Sequence, residues 1–309
     1  MQDRLPARGG LLLLAIAATM LVLATAFWRP DIANPYDDSS FFRMKLAWRE
    51  AADVVVLGNS QVYRGIDTQA FAEQCPGVTT LNFGFSGVLM RASYVEASLP
   101  VLRRDGAKLL LVGINPLQFK SERLGDGFVE TRRHDAQFRL PWEFEALLQP
   151  VLARLRPLEQ PLPAAKLVHW EYRPDGFVAS DSPAMTIQPA RYARYANSYV
   201  ANPFSEKMYR DLLEQLVRLK RSGYRVMVFP TYSSPQFELI DARMSGLDDA
   251  RLEADSRRLG LDFLPLAVDG LRSYDGTHLN AHSAAIFSRR LGQAVNARSA
   301  ICDGGRDSR

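Results

Sequence analysis

Four short segments in a fixed order constrain this chain more than anything else in it. Val54–Leu57 is an apolar run that stops at Gly58-Asn59-Ser60. Leu81-Asn82-Phe83 runs into Gly84-Phe85-Ser86-Gly87, and Leu109–Val112 stops at Gly113-Ile114-Asn115. Near the C-terminus stands Tyr274-Asp275-Gly276-Thr277-His278-Leu279-Asn280. Apolar runs that halt at a glycine and a polar residue read as buried strands of a parallel sheet. The ends of such strands are where open α/β sheets bind ligands. The groups delivered there are a serine, a glycine backbone, an asparagine and an Asp-x-x-His. They can serve as a nucleophile, oxyanion donors, and a base with its orienter.

The rest of the chain alternates between strand and helix patterns. Strands are expected over Val54–Leu57, Thr79–Phe83, Lys108–Gly113, Tyr224–Phe229 and Asp262–Leu264. Helices are expected over Phe41–Glu50, Asp67–Gln74, Ala92–Arg104, Phe204–Arg221, Leu247–Leu259 and Ala281–Val295. This order predicts right-handed crossovers and a sheet covered on both faces. From about Lys120 to Asn202 the pattern weakens. A helix is expected over Phe144–Leu155, then Pro157, Pro161 and Pro163 interrupt, and His169–Phe177 is aromatic and turn-rich. A long irregular stretch inside a compact domain is commonly a lid or binding insertion.

A serine hydroxyl needs a base within hydrogen-bond reach to act as a nucleophile. His278 can take its proton, and Asp275, three residues earlier, can fix the imidazole tautomer if the segment turns. The oxyanion donors would be the backbone N–H of Ser60, that of Gly87 and the Asn115 side chain. Each element alone has a plainer reading as a turn or cap residue; their joint order does not. The other polar candidates are weaker. His282, one helical turn after His278, lacks a third metal ligand, and His134 and His169 fall in the variable insertion. Trp170, Tyr172 and Tyr232 are candidate substrate contacts, with aromatic packing as the alternative. No metal or cofactor signature is present.

This set resembles the SGNH (GDSL-like) hydrolase superfamily. The resemblance covers roughly residues 51–298, leaving about 120–202 as an insertion. It implies an α/β three-layer, flavodoxin-like sandwich around a parallel five-stranded sheet. It also implies Ser60, Asp275 and His278 as catalytic residues, with Ser60, Gly87 and Asn115 as the oxyanion hole. The family's usual Asp before the serine is Asn59 here, and its usual Leu after it is Gln61.

Residues Leu11 to Trp28 are about 18 apolar or near-apolar residues without charge, long enough to cross a bilayer. Arg4 and Arg8 precede them and Asp31, Asp37 and Asp38 follow. The positive-inside rule then predicts a cytoplasmic tail over 1–10, a transmembrane anchor over 11–28 and everything later outside the cytoplasm. A cleaved signal peptide ending near Ala24-Thr25-Ala26 gives the same location. Residues 29–50 read as a linker and 299–309 as a mobile tail. Cys75 and Cys302 are the only cysteines, and an oxidising compartment would permit their pairing without requiring it. The formal net charge of +4 is spread without a dense basic run, which argues against nucleic acid as a partner.

An anchored, extracytoplasmic SGNH-like chain with a large insertion looks like the proteins that O-acetylate exported polysaccharides or D-alanylate teichoic acids. That resemblance implies acyl transfer to a cell-envelope glycan at the inner membrane, beside a membrane-bound O-acyltransferase. An esterase using water as acceptor shares the same triad. A non-catalytic glycan-binding scaffold is the third reading.

Overall fold

The computed structural model describes residues 38–120, 125–137 and 170–303. The elements run α1 (Asp38–Ala47), β1 (Val54–Leu57), α2 (Ser60–Gly65), α3 (Thr68–Ala72), β2 (Thr80–Asn82), α4 (Ala92–Ser98) and β3 (Leu109–Ile114). Then come α5 (Gly127–Gln137), β4 (Trp170–Tyr172), β5 (Val178–Ser180), α6 (Pro189–Ala201), α7 (Glu206–Arg221) and β6 (Arg225–Pro230). The chain closes with α8 (Pro235–Ser245), α9 (Asp249–Arg258), β7 (Asp262–Phe263) and α10 (Ala281–Asn296).

The main sheet has the order β2-β1-β3-β6-β7, and every neighbouring pair is parallel. This is the doubly wound order, with β1 and β3 adjacent where the winding reverses. The five expected strands form, within a residue or two of their expected bounds. Register aligns Leu57 with Val112 and Ile114 with Pro230, so the strand ends sit at one rim. That rim carries Ser60, the Gly84–Gly87 loop, Asn115 and the Thr231–Ser233 loop.

β1 and β3 are buried along their whole length because helices cover both faces. On one face Val55, Leu57, Leu110 and Val112 pack with Phe41, Tyr94, Leu212 and Leu216. On the other, Val54, Val56, Leu109 and Leu111 pack with Phe71, Phe287 and Leu291. Each such aliphatic side chain contributes about 1.5–3 kcal/mol relative to exposure. Helix ends follow local chemistry. The side chains of Ser205, Asp248 and Asn280 cap α7, α9 and α10. α4 stops at Ser98, short of the expected Arg104, and passes into a 3₁₀ turn over Leu99–Val101. Pro100 breaks it, since a proline nitrogen has no hydrogen to donate.

Three stretches differ from their expected organisation. The helix expected over Phe41–Glu50 forms as Asp38–Ala47, but it is built into the core rather than being part of a linker, with Phe41 and Lys45 fully buried. Lys45 Nζ donates to the carbonyls of Gly84 (2.7 Å) and Gly176 (2.9 Å) and lies 4.4 Å from the Phe41 ring centroid. Burial pushes its pKa well below the ordinary lysine value, with Asp175 opposing. Cys75 and Cys302 form a disulfide that ties the 3₁₀ turn Ala300–Asp303 to the segment after α3. The start of the expected mobile tail is therefore held, and Cys302 is buried. The insertion also supplies ordered elements that the sequence pattern did not predict. These are α5, the β4–β5 hairpin and α6.

The apolar run over 11–28 and the helix expected over Phe144–Leu155 lie outside the described residues, as does His169. Among the described residues no helix is long and apolar enough to cross a membrane.

Candidate active site

β1 ends at Leu57 and the chain turns through Gly58 and Asn59 into α2. A Cβ on Gly58 would lie 2.2 Å from the Val62 side chain and 3.0 Å from the Gly113 carbonyl, so only glycine fits between strand and helix. Asn59 is the N-cap: its side-chain oxygen accepts from the Gln61 N–H at 3.0 Å. An amide oxygen does this as well as a carboxylate, which explains how Asn replaces the expected Asp. Ser60 is the first helical residue and is partly exposed. Gln61 holds the turn from the far side. Its amide donates to the Tyr232 carbonyl and Ser233 Oγ, both at 3.0 Å, and accepts from Thr231 Oγ1 at 2.8 Å.

The Asp-x-x-His segment is a turn organised by its own carboxylate. Asp275 Oδ1 accepts from the N–H groups of Thr277 (2.9 Å) and His278 (2.8 Å) and from Thr277 Oγ1 (3.1 Å). This leaves Oδ2 for His278 Nδ1, at 2.8 Å, and His278 Nε2 lies 2.8 Å from Ser60 Oγ. A carboxylate at Nδ1 fixes the hydrogen there, so Nε2 is the acceptor facing the serine. The Tyr274 ring stacks on His278 at 5.8 Å between centroids. Burial pushes the Asp275 carboxyl up. The hydrogen bond and charge of His278 and the two backbone donors overcome it, and the pKa falls well below the usual carboxylate range. Arg191, from α6, adds an ion pair to Oδ2 at 3.0 Å.

The donor side is built differently. The Gly84–Gly87 loop is bound to the Ser60 turn by Phe85 N–H donating to the Gly58 carbonyl at 3.1 Å. Asn82 Nδ2 donates to the carbonyls of Val62 and Ile66, both at 2.9 Å. Gly87 has φ +60 and is exposed, with nothing within 4 Å of a Cβ built there, so its backbone is open to approach. Asn115 is buried and largely committed. Its Oδ1 caps the 3₁₀ turn Pro116–Phe119 through the Leu117 N–H (2.9 Å), and its own N–H donates to Gln118 Oε1 (2.8 Å). Its Nδ2 reaches Asp241 Oδ2 at 3.4 Å, which leaves one amide hydrogen for a ligand.

Asp241, on α8, also accepts from the hydroxyls of Tyr195 (3.0 Å) and Tyr199 on α6. Burial raises its pKa to about 6, against the lowering effect of these hydrogen bonds. Lys120, pushed down to about 8 by burial, lies 4.4 Å from the Tyr199 ring centroid. Arg191, Tyr195 and Tyr199 recur every four residues. One face of α6 thus touches both the orienting carboxylate and the network behind Asn115.

The structure brings Ser60, His278 and Asp275 together. The aromatic candidates divide. Trp170 is half-buried and lies over the Arg64 guanidinium, 4.1 Å from Cζ to the ring centroid, one helical turn from Ser60. Tyr172 is a correction: it is buried and packs on Phe41 at 4.9 Å, because its side of β4 faces the core. Tyr232 is also a correction. It is buried in the core cluster that also holds Phe229, Leu264 and Leu279. His134 and His282 are exposed on helices. Among the described residues no cluster of three or more His, Cys, Asp or Glu has metal-holding geometry. Sequence reasoning missed Arg64, Arg191 and Asp241, and it gave Gln61 no role beyond departing from the usual Leu. Only the four-residue spacing of Arg191, Tyr195 and Tyr199 hinted at a shared face.

No protein-family profile and no curated protein matches the chain. Two solved structures are similar to it. One is the inhibitor-bound aryl esterase of M. smegmatis, at 11% identity and a TM-score of 0.39, covering 79% of this chain and 98% of that one. The other is a putative arylesterase from Agrobacterium tumefaciens str. C58, at 13% identity and a TM-score of 0.38, with the same coverage. At this distance the case for the site rests on its own geometry.

Proposed function

We propose that this chain performs serine-dependent acyl-ester chemistry of the SGNH type, transferring an acyl group to a cell-envelope glycan. The observation that carries the chemistry is the continuous hydrogen-bond chain Ser60–His278–Asp275, 2.8 Å at each link. Ser60 Oγ attacks the ester carbonyl while its proton passes to His278 Nε2, and Asp275 stabilises the imidazolium. The N–H groups of Ser60 and Gly87 and the free hydrogen on Asn115 Nδ2 receive the oxyanion. Collapse of the intermediate expels the alcohol, which takes the proton from His278, and leaves acyl-Ser60. An acceptor hydroxyl, deprotonated by the same imidazole, then takes the acyl group and restores the serine.

Two features support a location outside the cytoplasm. The apolar run over 11–28 follows Arg4 and Arg8. The Cys75–Cys302 disulfide suits an oxidising compartment. There a membrane-bound O-acyltransferase is a natural acyl source. The esterase reading is favoured by one observation: Ser60 is partly open to solvent, so water can reach it. The intact triad argues against a pure scaffold.

The test is mass spectrometry of the full chain incubated with an activated acetyl ester, with and without envelope glycans. The proposal expects an acetyl adduct on Ser60 that is discharged faster by glycan than by water. Discharge indifferent to glycan leaves an esterase. A Ser60→Ala protein that is acetylated as well as the wild type removes both enzymatic readings.

A further inference from the structure

Arg64 is the cation the triad does not use. It follows Ser60 by one turn of α2, so the two side chains share a helix face about 5–6 Å apart at Cβ. Its Nε donates to the Tyr63 hydroxyl at 3.1 Å and its Nη1 to the Tyr274 hydroxyl at 2.5 Å. Cζ lies 5.2 Å from the Tyr63 ring centroid and 4.1 Å from that of Trp170. Tyr274 is the residue stacked on His278, so this cluster adjoins the base directly.

Among the half-buried arginines of the described residues, Arg64 alone has neither a carboxylate nor a carbonyl partner; Arg290, the other without a carboxylate, donates to the carbonyls of Ala267 and Asp269. Arg173 pairs with Asp67 and Asp175, Arg191 with Asp275, Arg251 with Glu206 and Arg289 with Glu73. Arg64 pairs with no carboxylate among the described residues, and no described residue bonds its Nη2. A half-buried guanidinium held only by phenols and an indole face is under-compensated. Two phenols and an aromatic wall fix its plane, which suits bidentate binding of an oxyanion. Ser60, Arg64, Trp170 and His278 are all partly exposed, so a ligand can reach the group. On the Gln61 side, by contrast, the cleft next to Asn115 is lined by Glu238, Asp241, Asp248 and Asp249. An acidic ligand would be repelled there and drawn towards Arg64.

We propose that Arg64, framed by Trp170 and Tyr274, is an anion subsite that holds a carboxylate or phosphate of the substrate, so that the glycan served by Ser60 is an acidic one. This rests on the reading of Ser60 as nucleophile and adds the substrate class. Trp170 supplies the stacking face for the sugar that carries the anion.

The test separates binding from chemistry. Full-length Ser60→Ala protein is titrated calorimetrically at low ionic strength with an oligogalacturonate, a glycerol-phosphate oligomer and a neutral galacto-oligosaccharide. At least one anionic ligand should bind about tenfold or more tighter than the neutral one, and which one identifies carboxylate or phosphate. Adding Arg64→Met, which keeps an unbranched apolar stem, should weaken that ligand about tenfold or more, and Arg64→Lys should recover part of the loss. Arg221→Ala, at the opposite end of the sheet, controls for general charge and should change affinity less than about twofold. No anion binding, equal binding of the neutral ligand, or an Arg64→Met protein that binds like its parent overturns the subsite. Labelling of wild-type Ser60 by a fluorophosphonate is scored separately. Its absence defeats the nucleophile reading whatever the titrations give.

Discussion

The two sides of Ser60 are made in different ways. On the base side, Asp275 bonds the backbone of Thr277 and His278 and the ring of His278, all within four residues. On the donor side, Asn115 depends on Asp241, 126 positions away, which depends in turn on Tyr195 and Tyr199 from the insertion. The base side is organised within one turn, to which α6 adds only the Arg191 ion pair on Asp275. The donor side needs β3, α6 and α8 docked together. The contrast teaches that a hydrogen-bonded Asp–His pair can be written locally while the field around it is assembled at long range.

The hardest test of this contrast is loss of the nucleophile or base. Ser60→Ala and His278→Ala should each lower turnover of an activated acetyl ester by roughly 10⁴–10⁶, because the two act as one unit. A loss below about tenfold in either would place the chemistry elsewhere. Asn115→Ala should slow turnover about 10²–10³-fold with the fold intact by circular dichroism. If the drop is only a few-fold, Asn115 is a cap for the 3₁₀ turn and the donor side is Gly87 and Ser60 alone.

Smaller effects sharpen the boundary between scaffold and site. Removing the disulfide with Cys75→Ala and Cys302→Ala should cost about 2–4 kcal/mol in urea unfolding, since it closes a very long loop. Ester turnover at 25 °C should stay near wild type, as the bridge joins the segment after α3 to the C-terminal turn. A large loss of turnover in the folded protein would tie that turn to the site.

The least effect is a pH signature. The folded pKa of Asp241 is raised to about 6, so its stabilising share is complete below the unfolded value near 4 and is lost as pH rises through about 6. Asp275 runs the other way: its depressed pKa stabilises above the unfolded value and is lost as pH falls. Asp241→Asn should therefore flatten the decline in melting temperature between about pH 4 and 7. A wild-type profile that already shows no decline there would remove Asp241 as a strained buried acid.

Taken alone, the sequence determined the strands of the sheet and the Asp275–His278 turn. β1 and β3 are uninterrupted aliphatic runs, so burial on both faces was readable from composition along a few residues. The Asp-x-x-His spacing and the strand-end serine are likewise local, because hydrogen bonds within a turn depend on neighbours in the chain. Only the tertiary structure decided the rest. It made Asp38–Ala47 part of the core, paired Cys75 with Cys302, and sent Tyr172 and Tyr232 into packing. It also set Arg191 on Asp275, Asp241 behind Asn115 and Trp170 over Arg64. These contacts join residues scores of positions apart, and no periodicity encodes them. Which partner a buried polar group meets is fixed by helix docking, whereas which segment can become a buried strand or a tight turn is fixed by its own side chains.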